Sequence, residues 1–139
     1  RRRVAGGPDA GDGVHLARAD PVPAPRPAVV GRSCHDRAEL RRAAREGCDY
    51  VTLSPVFGTV SKPGYGPALA LPGLTRLLRG VPVAPPVYGL GGITPDTVGG
   101  CLAAGAYGVA VMGAVMRADR PGRVVRELLA ALDHDPAAG

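Results

Sequence analysis

Short apolar runs alternate with amphipathic stretches along this chain. The runs at 13–16, 29–33, 50–54, 86–90 and 109–112 are rich in Val, Leu and Tyr. They lack clean apolar/polar alternation, the pattern of strands covered on both faces. The stretches between them carry helical spacing. Leu40, Ala43 and Ala44 share one face of a helix predicted from Arg37 to about Glu46. Asp36 is its N-cap, and Glu39 three residues later completes a capping-box pattern. Further helices are predicted at 69–79, from Thr94–Pro95 to Gly105, and at 121–132. Gly47, Gly80 and Gly105 act as stops. Strands that alternate with helices make an α/β fold with a parallel sheet and right-handed crossovers.

Residues 1–12 hold little that can be buried and are expected to be disordered or a linker. Residues 13–133 form the domain and 134–139 a tail. Four prolines at 21–28 make that segment extended or loop. The stretch 50–67, YVTLSPVFGTVSKPGYGP, starts as a strand and then becomes a loop rich in Gly, Pro, Ser and Thr. Connections are usually about 4–6 residues, and longer ones are functional or disordered. This one carries Thr59, Ser61 and Lys62, and Lys62 is the one lysine among 17 basic residues. A compact ammonium on a flexible stem suits phosphate, though the position also fits a solvated surface lysine.

Composition narrows the function. A length of 139 residues suggests one domain, and 4% aromatic content leaves Val, Leu and Ala to fill the core. No apolar run reaches the roughly 18–20 residues that span a bilayer. The net charge of +5 comes from arginines spread along predicted helices. Without interleaved aromatic platforms, that spread disfavours nucleic acid as a partner. Cys34, Cys48 and Cys101 lack metal-ligand spacing and are expected as reduced thiols of a cytoplasmic protein. Cys48 and Cys101 are core candidates; Cys34 follows a strand and could face a site.

In α/β folds, function sits on the loops that leave the C-terminal ends of the strands. Here those loops carry Asp20, Ser33, His35, Thr59, Ser61, Lys62, Gly91, Gly92, Met112 and Gly113. Gly91–Gly92 and Gly113 each end a strand before a helix. Their amides could bind a phosphate, or the glycines could serve tight turns alone. Asp20 could face Mg²⁺, but one carboxylate is not a metal site. His35 is either a general base or a loop contact, and His15 is expected to be a buried, hydrogen-bonded histidine.

Three motifs, SPVFGTVSKP, GLGGITP and GVAVMGAV, together resemble the thiamine-phosphate synthase family, including its thiazole tautomerase branch. The resemblance implies a partial (β/α) TIM-type barrel, about strands four to eight, with the first half of the barrel missing. It implies a transferase that joins a hydroxymethylpyrimidine diphosphate to a thiazole phosphate, with Mg²⁺ and release of pyrophosphate. Asp20 then matches a metal ligand, although Ala17–Arg18 replace the family's Gly-Gln. Ser33 matches a serine near the pyrimidine. Thr59, Ser61 and Lys62 match the diphosphate contacts, and Gly91 and Gly92 the phosphate glycines. Met112–Gly113 match a pair in which Gly113 has lost a hydroxyl. Lys62, Ser33 and His35 are the catalytic candidates. The same resemblance leaves a thiazole tautomerase using His35, or a non-catalytic phospholigand-binding remnant, as alternatives. A partial barrel is further expected to leave the inward faces of Val14, Val30, Val51, Leu53, Val109 and Val111 without partners. Such a chain should self-associate and show little synthase turnover alone.

Overall fold

The computed structural model describes residues 2–3, 13–58 and 67–134. In chain order the elements are β1 (Arg2–Arg3), β2 (Gly13–Leu16), β3 (Val29–Cys34), α1 (Arg37–Arg45), β4 (Tyr50–Leu53), α2 (Ala70–Arg79), β5 (Val87–Leu90), α3 (Pro95–Ala103), β6 (Gly108–Ala110), α4 (Gly113–Met116) and α5 (Pro121–Asp133). One sheet takes the strands in sequence order. β1 pairs antiparallel with β2, and every later pair is parallel. The five strands and four longer helices follow the hydrophobic pattern; the pattern did not predict β1 or the single-turn α4.

The two faces of the sheet differ. Val30, Val51 and Leu53 are fully buried with Leu40 and Ala43 of α1, Leu74 of α2 and Val98 of α3, in one core. Val14, Val109 and Val111 pack against the same core. The expectation that these six residues face inward without partners is therefore wrong. Register explains it: Leu16 lies opposite Arg32, and Arg32 opposite Val51, so residues two apart along each strand turn toward the helices. The inward face carries His15, Ser33, Tyr50, Thr52 and Tyr88 instead, all half-buried. Cys34 also belongs to the helix side and is fully buried, so it faces no site. Cys48 and Cys101 are core residues, as expected.

Glycine makes room for rings on the inward face. A Cβ at Gly31 would lie 2.1 Å from Tyr50 Cζ, and one at Gly108 would lie 3.0 Å from Tyr88 Cε1. The rings of His15, Tyr50, Tyr88 and Tyr107 follow one another across the sheet with centroids 5.5, 6.1 and 5.6 Å apart. The last two contacts are edge-on, a favoured aromatic arrangement.

Charges tie α1 to the sheet. Asp36 caps α1 by accepting from Glu39 N at 2.8 Å. Glu39 does not complete the reciprocal half of the box; its carboxylate accepts from His35 N at 2.7 Å. Arg32 is fully buried and donates to the Ala17 and Arg18 carbonyls at 2.9 and 3.2 Å. Its Nη2 lies 2.6 Å from Glu46 Oε2, off-axis for a hydrogen bond, so ionic attraction joins the pair. Arg42 holds the other Glu46 oxygen at 2.7 Å and reaches the Arg18 carbonyl at 3.1 Å. Two arginines thus fix the turn that leaves β2.

Candidate functional site

A cavity of about 540 Å³ opens where the strands end. Ser33, His35, Gly91, Gly92, Met112 and Gly113 all line it. These residues come from the ends of β3, β5 and β6, so a parallel sheet brings them together though they lie far apart in sequence. Thr59, Ser61 and Lys62 lie outside the described residues. Asp20 is not part of the cavity wall. Its carboxylate accepts from the Ala17 amide at 3.3 Å, closing its own turn. Among the described residues, no group of three or more His, Cys, Asp or Glu side chains could hold a metal ion.

Gly91 and Gly92 have φ of +100° and +63°. A Cβ at Gly92 would meet the Gly58 carbonyl oxygen at 2.5 Å, and one at Gly91 would meet Pro55 Cα at 3.0 Å. Val56 N and Phe57 N donate to the Leu90 and Gly91 carbonyls at 2.9 and 3.0 Å. The loop after β4 therefore continues beside the end of β5, and both glycines are needed for that approach alone. Thr94 and Pro95 then start α3 as predicted, with the Thr94 amide donating to Thr97 Oγ1 at 3.0 Å.

Two cations in the cavity wall escaped sequence reasoning, Arg18 and Arg117. Arg18 pairs with Glu39 at 3.2 Å. Arg117 folds back over the start of α4: a Cβ at Gly113 would lie 2.6 Å from its Nη1. The signal was four-residue spacing, Gly113 to Arg117, which only matters once α4 is known to be a helix. The short arginines-and-glycines rim suits an anion more than a cation.

His35 Nδ1 lies 3.0 Å from Glu39 Oε2. A carboxylate accepting from Nδ1–H sets the tautomer, with the basic lone pair on Nε2. His15 is hydrogen-bonded as expected, with Nδ1 at 3.0 Å from Tyr50 OH and Nε2 at 2.9 Å from Ser33 Oγ. Burial, and then the nearby Arg32 charge, push its pKa below the ordinary histidine value.

The fold agrees with known proteins. The family model described as thiamine monophosphate synthase matches residues 3–115. The thiamine-phosphate synthase of Roseiflexus castenholzii is 40% identical over 124 residues, 84% of this chain and 53% of that protein. That of Methanoculleus marisnigri is 44% identical over 111 residues, 76% of this chain and 52% of that protein. Among solved structures, thiamine phosphate pyrophosphorylase from Pyrococcus furiosus superposes with a TM-score of 0.72 at 30% identity, over 88% of this chain and 60% of that one. A 3-hexulose-6-phosphate synthase, at 21% identity and a TM-score of 0.61 over 88% of this chain and 62% of that one, shares the fold alone. The chain spans about half the length of these two synthases. With most of its length matched by the family model, the chain belongs to the thiamine monophosphate synthase family.

Proposed function

We propose that the chain forms the strand-end half of a thiamine-phosphate synthase site. The reaction would break the C–O bond between the pyrimidine methylene and diphosphate. The thiazole nitrogen would then bond to that carbon, and pyrophosphate would leave. One observation carries this reading: the family's matched residues Ser33, Gly91, Gly92, Met112 and Gly113 line one cavity. Glycine amides and the Arg117 guanidinium suit the phosphate of the thiazole. Thr59, Ser61 and Lys62 are assigned to the diphosphate. Lys62 acts electrostatically, since charge builds on the leaving group as the bond breaks. Positioning supplies the rest, so no strong nucleophile is needed.

The family resemblance includes Mg²⁺, for which the described residues are a poor match. Mg²⁺ takes hard oxygen ligands, one or two carboxylates among them. Asp20, the carboxylate that the resemblance assigns to the metal, stands outside the cavity wall and closes its own turn. The cytoplasm is the compartment proposed, from three free, buried thiols. Among the described residues no helix is long and apolar enough to cross a membrane.

The His35–Glu39 pair favours a second reading, a thiazole phosphate tautomerase in which His35 Nε2 moves the proton. The test offers the chain both synthase substrates, follows thiamine phosphate as thiochrome fluorescence, and measures thiazole phosphate binding by calorimetry. Thiamine phosphate that disappears in Lys62→Ala supports the transferase. Isomerisation of a thiazole phosphate tautomer, followed separately by ultraviolet absorbance, that disappears in His35→Gln supports the tautomerase. A chain that neither turns over nor binds thiazole phosphate at millimolar concentration overturns both.

A further inference from the structure

His15, Ser33 and Tyr50 stand on three neighbouring strands, β2, β3 and β4, on the inward face. Their polar atoms form one chain, Tyr50 OH to His15 Nδ1 at 3.0 Å and His15 Nε2 to Ser33 Oγ at 2.9 Å. Ser33 is its outer end, because Ser33 lines the cavity and neither His15 nor Tyr50 does. The inner end is held fast. The Tyr50 ring fills the space that Gly31 leaves empty, and it meets Tyr88 edge-on at 90°.

The direction of this chain follows from elementary chemistry. A neutral imidazole has one N–H and one bare nitrogen, so one of its two bonds must be accepted and the other donated. A phenol is more acidic than an alcohol; it is therefore the stronger donor and the weaker acceptor. Both bonds are strongest when Tyr50 O–H donates to Nδ1 and Nε2–H donates to Ser33 Oγ. The reverse order would use the weaker donor, Ser33 O–H, at one end and the weaker acceptor, the Tyr50 oxygen, at the other. With Nε2–H donating to Ser33 Oγ, the serine's own proton points elsewhere, and the cavity is on its open side.

We propose that Tyr50 and His15 are positioning residues that make Ser33 a hydrogen-bond donor to an acceptor atom of the ligand, such as the bare nitrogen of a heteroaromatic ring. That the ring is the pyrimidine rests on the reaction proposed above; the polarity of Ser33 does not. No proton is transferred in this role. The relay selects a ligand with a lone pair at that point and rejects one with an N–H or C–H there.

Two measurements test it on the chain as it stands. Long-range ¹H–¹⁵N correlation, with His15 assigned by its absence in His15→Gln, reports the tautomer near neutral pH. Nε2 should carry the proton and Nδ1 should be bare. Ser33→Ala should preserve that tautomer, because Tyr50 still donates. Tyr50→Phe should shift it toward a mixture. An Nδ1–H tautomer in the parent overturns the proposal, and Tyr50→Phe should also weaken the ligand preference measured next, which a purely structural His15 would leave unchanged. The second measurement compares a hydroxymethylpyrimidine with its analogue in which a ring nitrogen is replaced by C–H. The parent should prefer the pyrimidine by about tenfold, one hydrogen bond's worth, and Ser33→Ala should lose the preference. Equal preference in parent and Ser33→Ala also overturns the donor role. If neither compound binds, the proposed reaction fails, and the tautomer alone then decides the polarity of Ser33.

Discussion

Replacing Gly31 with Ala tests the packing of the inward face most directly. The new methyl would lie 2.1 Å from Tyr50 Cζ and 2.5 Å from both Cε1 and the phenol oxygen. Ordinary carbon contacts are about 3.5–4.0 Å, so the ring must retreat by more than ~1 Å. That movement breaks the 3.0 Å bond to His15 and the edge contact with Tyr88. Overpacking costs about 1–3 kcal/mol, the hydrogen bond about 1 kcal/mol and the ring contact about 0.5–1.5 kcal/mol. The stiffer unfolded chain returns about 0.4–1 kcal/mol. These costs overlap, since one displacement causes them all, and the net loss should be about 2–3 kcal/mol. In a Tyr50→Ala background the obstruction is gone, and Gly31→Ala should be neutral or slightly stabilising. Urea unfolding followed by far-UV circular dichroism gives all four corners of the cycle. With a slope of about 1–3 kcal/mol per molar, the single variant's midpoint should fall by roughly 1–2 M. An equal cost of Gly31→Ala in both backgrounds would refute the reasoning.

Three further outcomes are expected. Glu46→Ala leaves the Arg32 charge buried and should cost about 3 kcal/mol, the low end for a broken buried pair because two carbonyls still accept from Arg32; the double variant Arg32→Met, Glu46→Leu should recover most of it in the same unfolding assay. His15 has a folded pKa below its unfolded value, so the unfolded chain binds more protons below about pH 6.5; stability should fall as pH drops through that value, with a shallower fall in His15→Gln, as thermal melts between pH 5 and 7 would show. The Cys34 thiol, pushed up to about 12 first by burial and then by Glu39, should react with iodoacetamide at pH 8 only as fast as the protein unfolds, and fast labelling in native buffer would count against its burial.

Strand positions and longer helices were legible because apolar runs and caps are local signals. Asp36, Gly47 and Thr94 act where their residue types prefer to act. The rim was legible for a topological reason: a parallel sheet puts every strand end on one side. Which face of each strand meets the helices was not legible. Runs such as Val29–Val30 and Val51–Thr52–Leu53 lack strong alternation, and register shows only in the pairing. The burial of Arg32 was not legible either, because it depends on Glu46 and on carbonyls 14 and 15 positions away. The His15 contacts span 18 and 35 positions, beyond any short-range pattern. Arg117 stayed hidden because α4 is a single turn, too short for periodicity to reveal.

The row of rings on the inward face also gives the chain its own optical reporter. It has no Trp and four Tyr, so its near-ultraviolet emission is tyrosine emission. Three of those four tyrosines, Tyr50, Tyr88 and Tyr107, stand in the row. Any ligand, second copy or further polypeptide that covers this face therefore changes the surroundings of most of the fluorophores at once. Binding at the helix side would leave Tyr50 and Tyr88 as they are. Unlabelled protein can thus distinguish the two faces by the colour and polarisation of its own light.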